Sequence, residues 1–328
     1  MVNLVDIVLM GLLVITAFAM VRMRDLFSII MLFGIYSLIS AAFFVNLDAV
    51  DVAMTEAAVG AGISTVLMLG TLALTTRTEK RRVHGRLLPL FVVIVTGLAL
   101  IYGTLDMPHF SDPAAPIHMH VAPHYIQNSG QEVGIPNIVT SVLASYRGYD
   151  TLGETVVVFT AGLGVLTLLG RFGGGVPGAG SSTMSHHTIL RVIIKALIPL
   201  ILLYALYIQF HGEYGPGGGF QAGVLFAVAF IVYTIIFGID RTRQVIPPRV
   251  LHTLMAIGVL VYGGTGVVSM FAGGEFLNYN VLSLDPVHGQ HLGIILVELG
   301  VGITVATVML SIFLDFAGRS VDRKGEQQ

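Results

Sequence analysis

Residues 189–237 read ILRVIIKALIPLILLYALYIQFHGEYGPGGGFQAGVLFAVAFIVYTIIF. Two apolar runs, 189–210 and 220–237, flank a short glycine-rich connection. Each run has close to the ~20 residues that a hydrocarbon core of ~30 Å demands of a helix. Lipid offers backbone amides no hydrogen-bond partners, so a run of this kind satisfies them internally as a helix. The same criterion, applied outward, finds seven more runs: 4–20, 26–45, 52–75, 87–105, 155–169, 250–272 and 292–316. The fifth in chain order, 155–169, is short and is expected to extend back toward Asp150 and Glu154. The expected fold class is an all-α polytopic membrane protein of about nine transmembrane helices.

Composition agrees. Of 328 residues, 55% are hydrophobic and 11% charged, against roughly 25% charged in an ordinary soluble domain. A mean hydropathy of +0.85 excludes a soluble enzyme, which has to cover its surface with polar groups. A formal net charge of −2 gathers no nucleic acid. With no cysteine there is no disulfide, thiolate nucleophile, Cys-ligated zinc or Cys-held cluster, so any redox chemistry belongs to partners.

The charges also orient the helices. A secretory signal carries basic residues before its apolar core, whereas Asp6 comes first here and Arg22 and Arg24 follow, which reads as a retained helix. With the N-terminus outside and the C-terminus cytoplasmic, every Lys and Arg except Arg147 falls on the inner side, counting Arg191 and Lys195 at the inner end of the sixth helix. That is the positive-inside pattern. The long external connection, 106–150, holds Pro108, Pro113, Pro116, Pro123 and Pro136, which argue against a continuous helix over its first part. Residues 137–146 turn apolar and are expected on the membrane surface. The inner stretch 171–187, RFGGGVPGAGSSTMSHH, reads as a flexible linker and domain boundary, with five helices before it and four after.

Three acids remain at membrane depth: Glu56, Glu154 and Glu298. A charge in hydrocarbon costs about 3 kcal/mol even on the gentlest scale, so each is expected to face a bundle interior, a partner or water. On a uniform α-helix Glu56 shares a side with Ala53, Gly60 and Ser64. Glu298 shares a face with His291, about 10.5 Å away along the axis, a spacing that an intervening water can bridge for a proton. The plainer reading leaves His291 titrating alone at the interface. If RGYDTLGE is helical, Arg147, Asp150 and Glu154 line one face, either as an electrostatic gate or as an ion pair at the helix lip. Lys195, two turns into the sixth helix, either snorkels to the inner surface or is a buried amine that exchanges protons.

HGEYGPGGGFQAG, residues 211–223, is not a phosphate loop, because no Gly-Lys-Ser/Thr follows. Gly217, Gly218 and Gly219 let the backbone approach a neighbour closely or turn carbonyls toward an ion. With His211 and Gln221 they mark either a tight interfacial turn or a break beside a polar cavity. His109, His118, His120 and His124 lack an organising acid, so no metal site is expected. Hydrolase, zinc-protease and dinucleotide motifs are absent from the sequence.

These residues carry a family resemblance. DVAMTEAAVGAGIST, residues 51–65, resembles the small membrane domain MbhD, and NIVTSVLASYRGYDTLGE, residues 137–154, resembles MbhE. IPLILLYALYIQFHGEYGPGGGFQAG and VELGVGITVATVML, residues 297–310, resemble the MnhB (MrpB) subunit of Mrp-type multisubunit Na+/H+ antiporters. The expected domains are an MbhD-like three-helix unit at 1–82, an MbhE-like two-helix unit at 83–170, the linker at 171–187 and an MnhB-like four-helix unit at 188–328. The resemblance implies an assembly related to the membrane arm of respiratory complex I and to membrane-bound hydrogenases. Glu56, Glu154 and Glu298 match motif acids, and His211 with 217–221 matches the MnhB turn. The family more often carries His where Glu213 stands, so the resemblance assigns Glu213 no role. The large antiporter module is absent, so the chain is expected to work with large antiporter-like subunits and small membrane subunits.

The expected function is that of a subunit of a monovalent cation/proton antiporter in a bacterial inner membrane, not an enzyme and without a resident cofactor. Na+, or another monovalent cation, and H+ are its cargo. The three glutamates would bind them alternately, with Asp150, Arg147, Lys195 and His291 along the passage. The rivals are a membrane-arm subunit of a redox-driven pump and a structural scaffold.

Overall fold

The computed structural model describes residues 4–79, 87–109, 112–170 and 187–325, with side chains described except at 170 and 319–325. The expected linker therefore lies outside the described residues, apart from His187. Among the described residues, nine helices are long and apolar enough to cross a membrane. They are α1 (Leu4–Arg22), α2 (Leu26–Asn46), α3 (Val50–Ala73), α4 (Leu87–Thr104), α6 (Gly148–Gly170), α7 (Thr188–His211), α8 (Gly219–Phe237), α10 (Pro248–Phe271) and α11 (Pro286–Gly325). The fifth of these spans, α6, begins at Gly148, so the short fifth run of the sequence extends back as expected. Two shorter helices complete the numbering: α5 (Val121–Glu132) in the long connection and α9 (Ile239–Val245) after α8.

The centre is the pair α8 and α11, each with more than half of its span buried. Around α11 lie α10, α8, α6 and α3, while α7 packs on α8. The remaining helices are peripheral. α1 packs on α2 and α2 on α3, and α4 buries no residue.

Small residues explain why α8 and α11 are central. Without a hydrophobic force between helices in lipid, close van der Waals approach drives association. Gly219 and Gly223 of α8 face Glu298 and Gly302 of α11 so closely that a Cβ on Gly223 would lie 2.7 Å from the Gly302 carbonyl oxygen. On the other side of α11, a Cβ on Gly258 of α10 would lie 2.8 Å from the Gly300 carbonyl.

The segment 137–146 is docked into the bundle, not laid on the membrane surface as its composition suggested. Asn137 caps a helical turn (Ile138–Thr140) that runs into a π-helical turn (Ser141–Tyr146). Two buried tyrosines from the far side hold it: Tyr279 Oη donates to the Ala144 carbonyl (3.0 Å) and Tyr262 Oη to that of Gly148 (2.7 Å). Burial pushes the Tyr279 phenol above its ordinary range, which keeps it a donor. The tyrosines supply partners for carbonyls where the chain passes from π-turn to α6. The proline-rich part of the loop is also partly helical, because Pro123 falls in the first turn of α5, where its missing N–H costs nothing.

At the opposite end Asp25 joins two helices and the segment that follows α3. Its carboxylate accepts from Ser28 N (3.1 Å) and Ser28 Oγ (2.6 Å), capping α2, and from Arg77 Nε (2.7 Å) beyond α3. The Arg77 hydrogen bond, followed by Ser28, lowers its pKa from 3.8 to about 2. A depressed carboxylate contributes above its ordinary pKa and ceases to as pH falls through the depressed value. The α2 cap should therefore be complete at neutral pH and open only as pH falls from about 4 toward 2. The hydrogen-exchange protection of the peptide containing Ser28, taken relative to the intrinsic exchange rate at each pH, should fall over that range. In Asp25→Ala it should be low already at pH 7.

Candidate functional site

Helices α3, α6, α8 and α11 and the segment 137–146 enclose a cavity of about 590 Å³. Two of the three sequence-nominated acids enter it from separate helices, Glu154 from α6 and Glu298 from α11, together with Gly217, Gly218, Gly219 and Gln221. Elsewhere its wall is largely apolar. Glu298 stands twelve residues into α11, about 18 Å along the axis from Pro286.

The glycine run is what brings Glu298 and α8 together. Gly218 has φ 111°, a left-handed conformation that glycine adopts without strain. It is also the N-cap of α8 and makes no side-chain cap. A Cβ there would lie 2.9 Å from Glu298 Oε1, so the carboxylate lies against the first turn of α8. That turn's unpaired N–H groups present partial positive charge, which offsets part of the cost of burying an anion.

Residues that the sequence reading did not single out hold this turn. Asn137 Nδ2 donates to the carbonyls of Gly212 (3.1 Å) and Gly215 (3.0 Å) and to Asp51 Oδ1 (3.3 Å). Thr140 Oγ1 donates to the Gly212 carbonyl at 2.6 Å. Gln221 Nε2 donates to Thr55 Oγ1 at 2.7 Å. Asp51 and Thr55 are spaced i, i+4 on α3 and both line the cavity. That spacing was legible in the sequence, although attention there falls on the adjacent Glu56.

Glu56 points elsewhere. α3 is π-helical from Ala57 to Ser64, and Gly60 lies beside Glu56 on the side expected. A Cβ on Gly60 would meet Glu56 Oε1 at 2.6 Å and Ser37 Oγ of α2 at 2.5 Å. Glu56 thus lies at the α2–α3 contact and is not among the cavity residues.

Other expected passage residues also stand apart. Arg147, which immediately precedes α6, pairs with Asp150 at 2.5 Å in an exposed bridge, the ion-pair alternative for this stretch. Lys195 is exposed on α7 in this chain, its Nζ 5.8 Å from the Phe237 ring centroid. His211 is half-buried and stacks on Tyr207 at 4.9 Å, packing the end of α7. His291 does not stand alone: its Nδ1 is 3.3 Å from Oε2 of Glu213. His124 of the connection between α4 and α6 faces Glu132 at 3.3 Å.

A bundle of long apolar helices with Asp51, Glu154 and Glu298 lining one cavity beside a glycine-rich turn defines a polytopic membrane protein. Residues 189–311 match the family described as a domain related to the MnhB subunit of Na+/H+ antiporter. Residues 11–77 match the MbhD family and residues 81–187 the MbhE family, described as the D and E subunits of MBH. The chain is 34% identical over 136 residues to a Staphylococcus aureus protein named as the antiporter subunit mnhB2, spanning 96% of it and 40% of this chain. It is 29% identical over 327 residues to a Rhizobium meliloti protein named as the A/B subunit of a K(+)/H(+) antiporter, covering 89% of this chain but 32% of that one. Among solved structures, the Mrp complex from Dietzia sp. DQ12-45-1b superposes with TM-score 0.77 and 28% identity, over 96% of this chain and 35% of the Dietzia chain. An archaeal membrane-bound sulfane sulfur reductase complex gives TM-score 0.50 at 28% identity, over 70% of this chain and 97% of that one. The chain belongs to the MnhB family of antiporter subunits, here preceded by MbhD- and MbhE-type domains. It spans about a third of the Rhizobium protein's length.

Proposed function

We propose that this chain is a non-enzymatic subunit of a Mrp-type monovalent cation/proton antiporter in a bacterial inner membrane, and that Glu154 and Glu298 form its ion-exchange site. The observation that carries the reading is that three helices bring carboxylates, Asp51, Glu154 and Glu298, to one largely apolar cavity. A buried carboxylate is neutralised by a proton or by a hard cation that accepts oxygen ligands, and occupancy by one excludes the other. Competition of this kind is what couples two ions. Asp51, Thr55, Thr140, Thr151 and Gln221 supply further oxygen donors around the cavity. The cargo is Na+ or another monovalent cation, exchanged for H+, and no resident cofactor is required. With the N-terminus outside, the cavity opens toward the outer face. Large antiporter-like subunits and small membrane subunits complete the passage, since the chain corresponds to about a third of its longer relatives.

Glu154→Gln tests the two-carboxylate site. In inverted vesicles holding the assembled complex, cation-driven proton release should fall about tenfold, the scale of losing one positioned proton-transfer group, while the complex is recovered in unchanged yield. Exchange at the parental rate would remove Glu154 from the site. Purification in mild detergent tests the partner reading: large antiporter-like chains should accompany this one, and metal-cluster subunits in their place would contradict it.

A further inference from the structure

We propose that Glu213 and His291 form a proton-exchange station between the water at the start of α11 and the half-buried Glu298. The inference rests on Glu298 being an exchange site and adds the residues that connect it to the aqueous phase.

Glu213 lies in the turn between α7 and α8, and His291 five residues into α11. Their side chains form a gradient of exposure. His291 is 30% exposed and Glu213 11%, with His291 Nδ1 3.3 Å from Glu213 Oε2. The other oxygen, Glu213 Oε1, is buried and has no hydrogen-bond partner. An ion pair present only to fasten the turn would have both oxygens satisfied, because buried polar atoms are almost always partnered. An unpartnered carboxylate oxygen beside a second acid is a place where a proton can arrive.

That second acid is close. A Cβ on Gly212, the residue next to Glu213, would lie 3.2 Å from Glu298 Oε1. His291 and Glu298 share one face of α11 about 10.5 Å apart along the axis, a gap too long for direct transfer, and the turn carrying Glu213 touches both, Glu213 at His291 and Gly212 at Glu298. The surroundings from the other elements are few. Asn137 donates its backbone N–H to the Glu213 carbonyl (3.0 Å) and its side chain to Asp51, and a Cβ on Gly134 would lie 3.7 Å from His291 Nε2. The titratable groups around the station are Glu213, Glu298, Asp51 and His291, with His211 and Tyr214 of the same turn, where a Cβ on Gly215 would lie 2.9 Å from His211 Nε2.

The transfer balances. The imidazolium of His291 gives its Nδ1 proton to Glu213 Oε2, leaving a neutral ring and a neutral carboxylic acid. Glu213 then passes a proton through one water to Glu298 and returns to the carboxylate, ready to accept again from His291 once the ring has taken a proton from solvent.

The test uses the assembled complex, with the full-length chain, in inverted vesicles, and follows Na+- or K+-driven proton release across a pH series. Glu213→Gln keeps the shape and an acceptor oxygen for His291 but cannot carry a proton. Its initial rate should fall about tenfold with the complex recovered in parental yield, and Glu213→His should restore most of the rate with a displaced pH profile. Glu213→Gln at the parental rate, or Glu213→His no faster than Glu213→Gln, overturns the proposal. Should Glu213→Gln reduce recovery of the complex, His291→Gln is read in its place: a flattened pH profile supports the station and a parental profile overturns it. Glu298→Gln, run in parallel, separates the two levels. Loss in Glu298→Gln with parental Glu213→Gln removes the station alone, whereas parental rates in both remove the exchange site on which it depends.

Discussion

Glu298→Gln should reduce cation/proton exchange by about a hundredfold or more, the upper part of the range for losing a group that must itself bind and release the proton. Assembly should be unaffected. Gln is nearly isosteric, and Gly212 and Gly218, which lie against Glu298 Oε1, leave room for an amide. The variant also removes a buried charge, so stability should hold or rise, since desolvating a carboxylate is costly even beside a helix N-terminus. The informative outcome is that divergence, exchange lost while the complex remains intact and thermally as stable as the parent. The measurement pairs initial rates in inverted vesicles with the thermal unfolding midpoint of the purified complex. Parental exchange would take Glu298 out of the passage. Loss of exchange together with loss of assembly would make it a structural residue.

Gly219→Ala should have the opposite signature. A Cβ at Gly219 would run into the backbone carbonyl of Glu298, an obstacle that cannot rotate away as a flexible side chain would. The helix pair would have to separate by a fraction of an ångström or more. Overpacking of this kind costs about 1–3 kcal/mol, occasionally more, and here it falls where two backbones are the contact. The same displacement would move the first turn of α8 away from the Glu298 carboxylate and open the cavity wall at Gly217–Gly219. Recovery of the complex should fall severalfold and its unfolding midpoint by several degrees. Gly153→Ala makes the control, because its Cβ would meet nothing within 4 Å; it should leave yield and midpoint at parental values. Equal behaviour of the two variants would show that the close approach at Gly219 is not what holds α8 to α11.

The helices were legible because the bilayer imposes a single rule on every span. A run of apolar residues long enough to cross must be helical, and each of the nine expected runs overlaps a helix. Glu154, Glu298 and the glycine run were legible for a related reason: an acid at membrane depth, or three successive glycines beside an apolar run, is expensive or weakly structured unless something compensates. Two features escaped that logic. The way α3 is turned against its neighbours leaves no mark on hydropathy: Glu56 lies with Gly60 at the contact with Ser37 of α2, while Asp51 and Thr55, on another side of the same helix, line the cavity. The docking of residues 137–146 also escaped, because its anchors, Tyr262 and Tyr279, lie more than a hundred residues away in sequence.

The division between what the chain's order determines and what its folding decides follows from the range of the forces. Transfer free energy is summed locally along the chain, so composition and periodicity alone determined an all-helical, nine-span membrane protein with acids that need partners. Which acids meet depends on contacts between residues distant in sequence. Glu213 shows this most clearly: as a residue in a turn it carries no signal, and only the packing of α11 against that turn sets its buried carboxylate beside His291 and its neighbour Gly212 against Glu298.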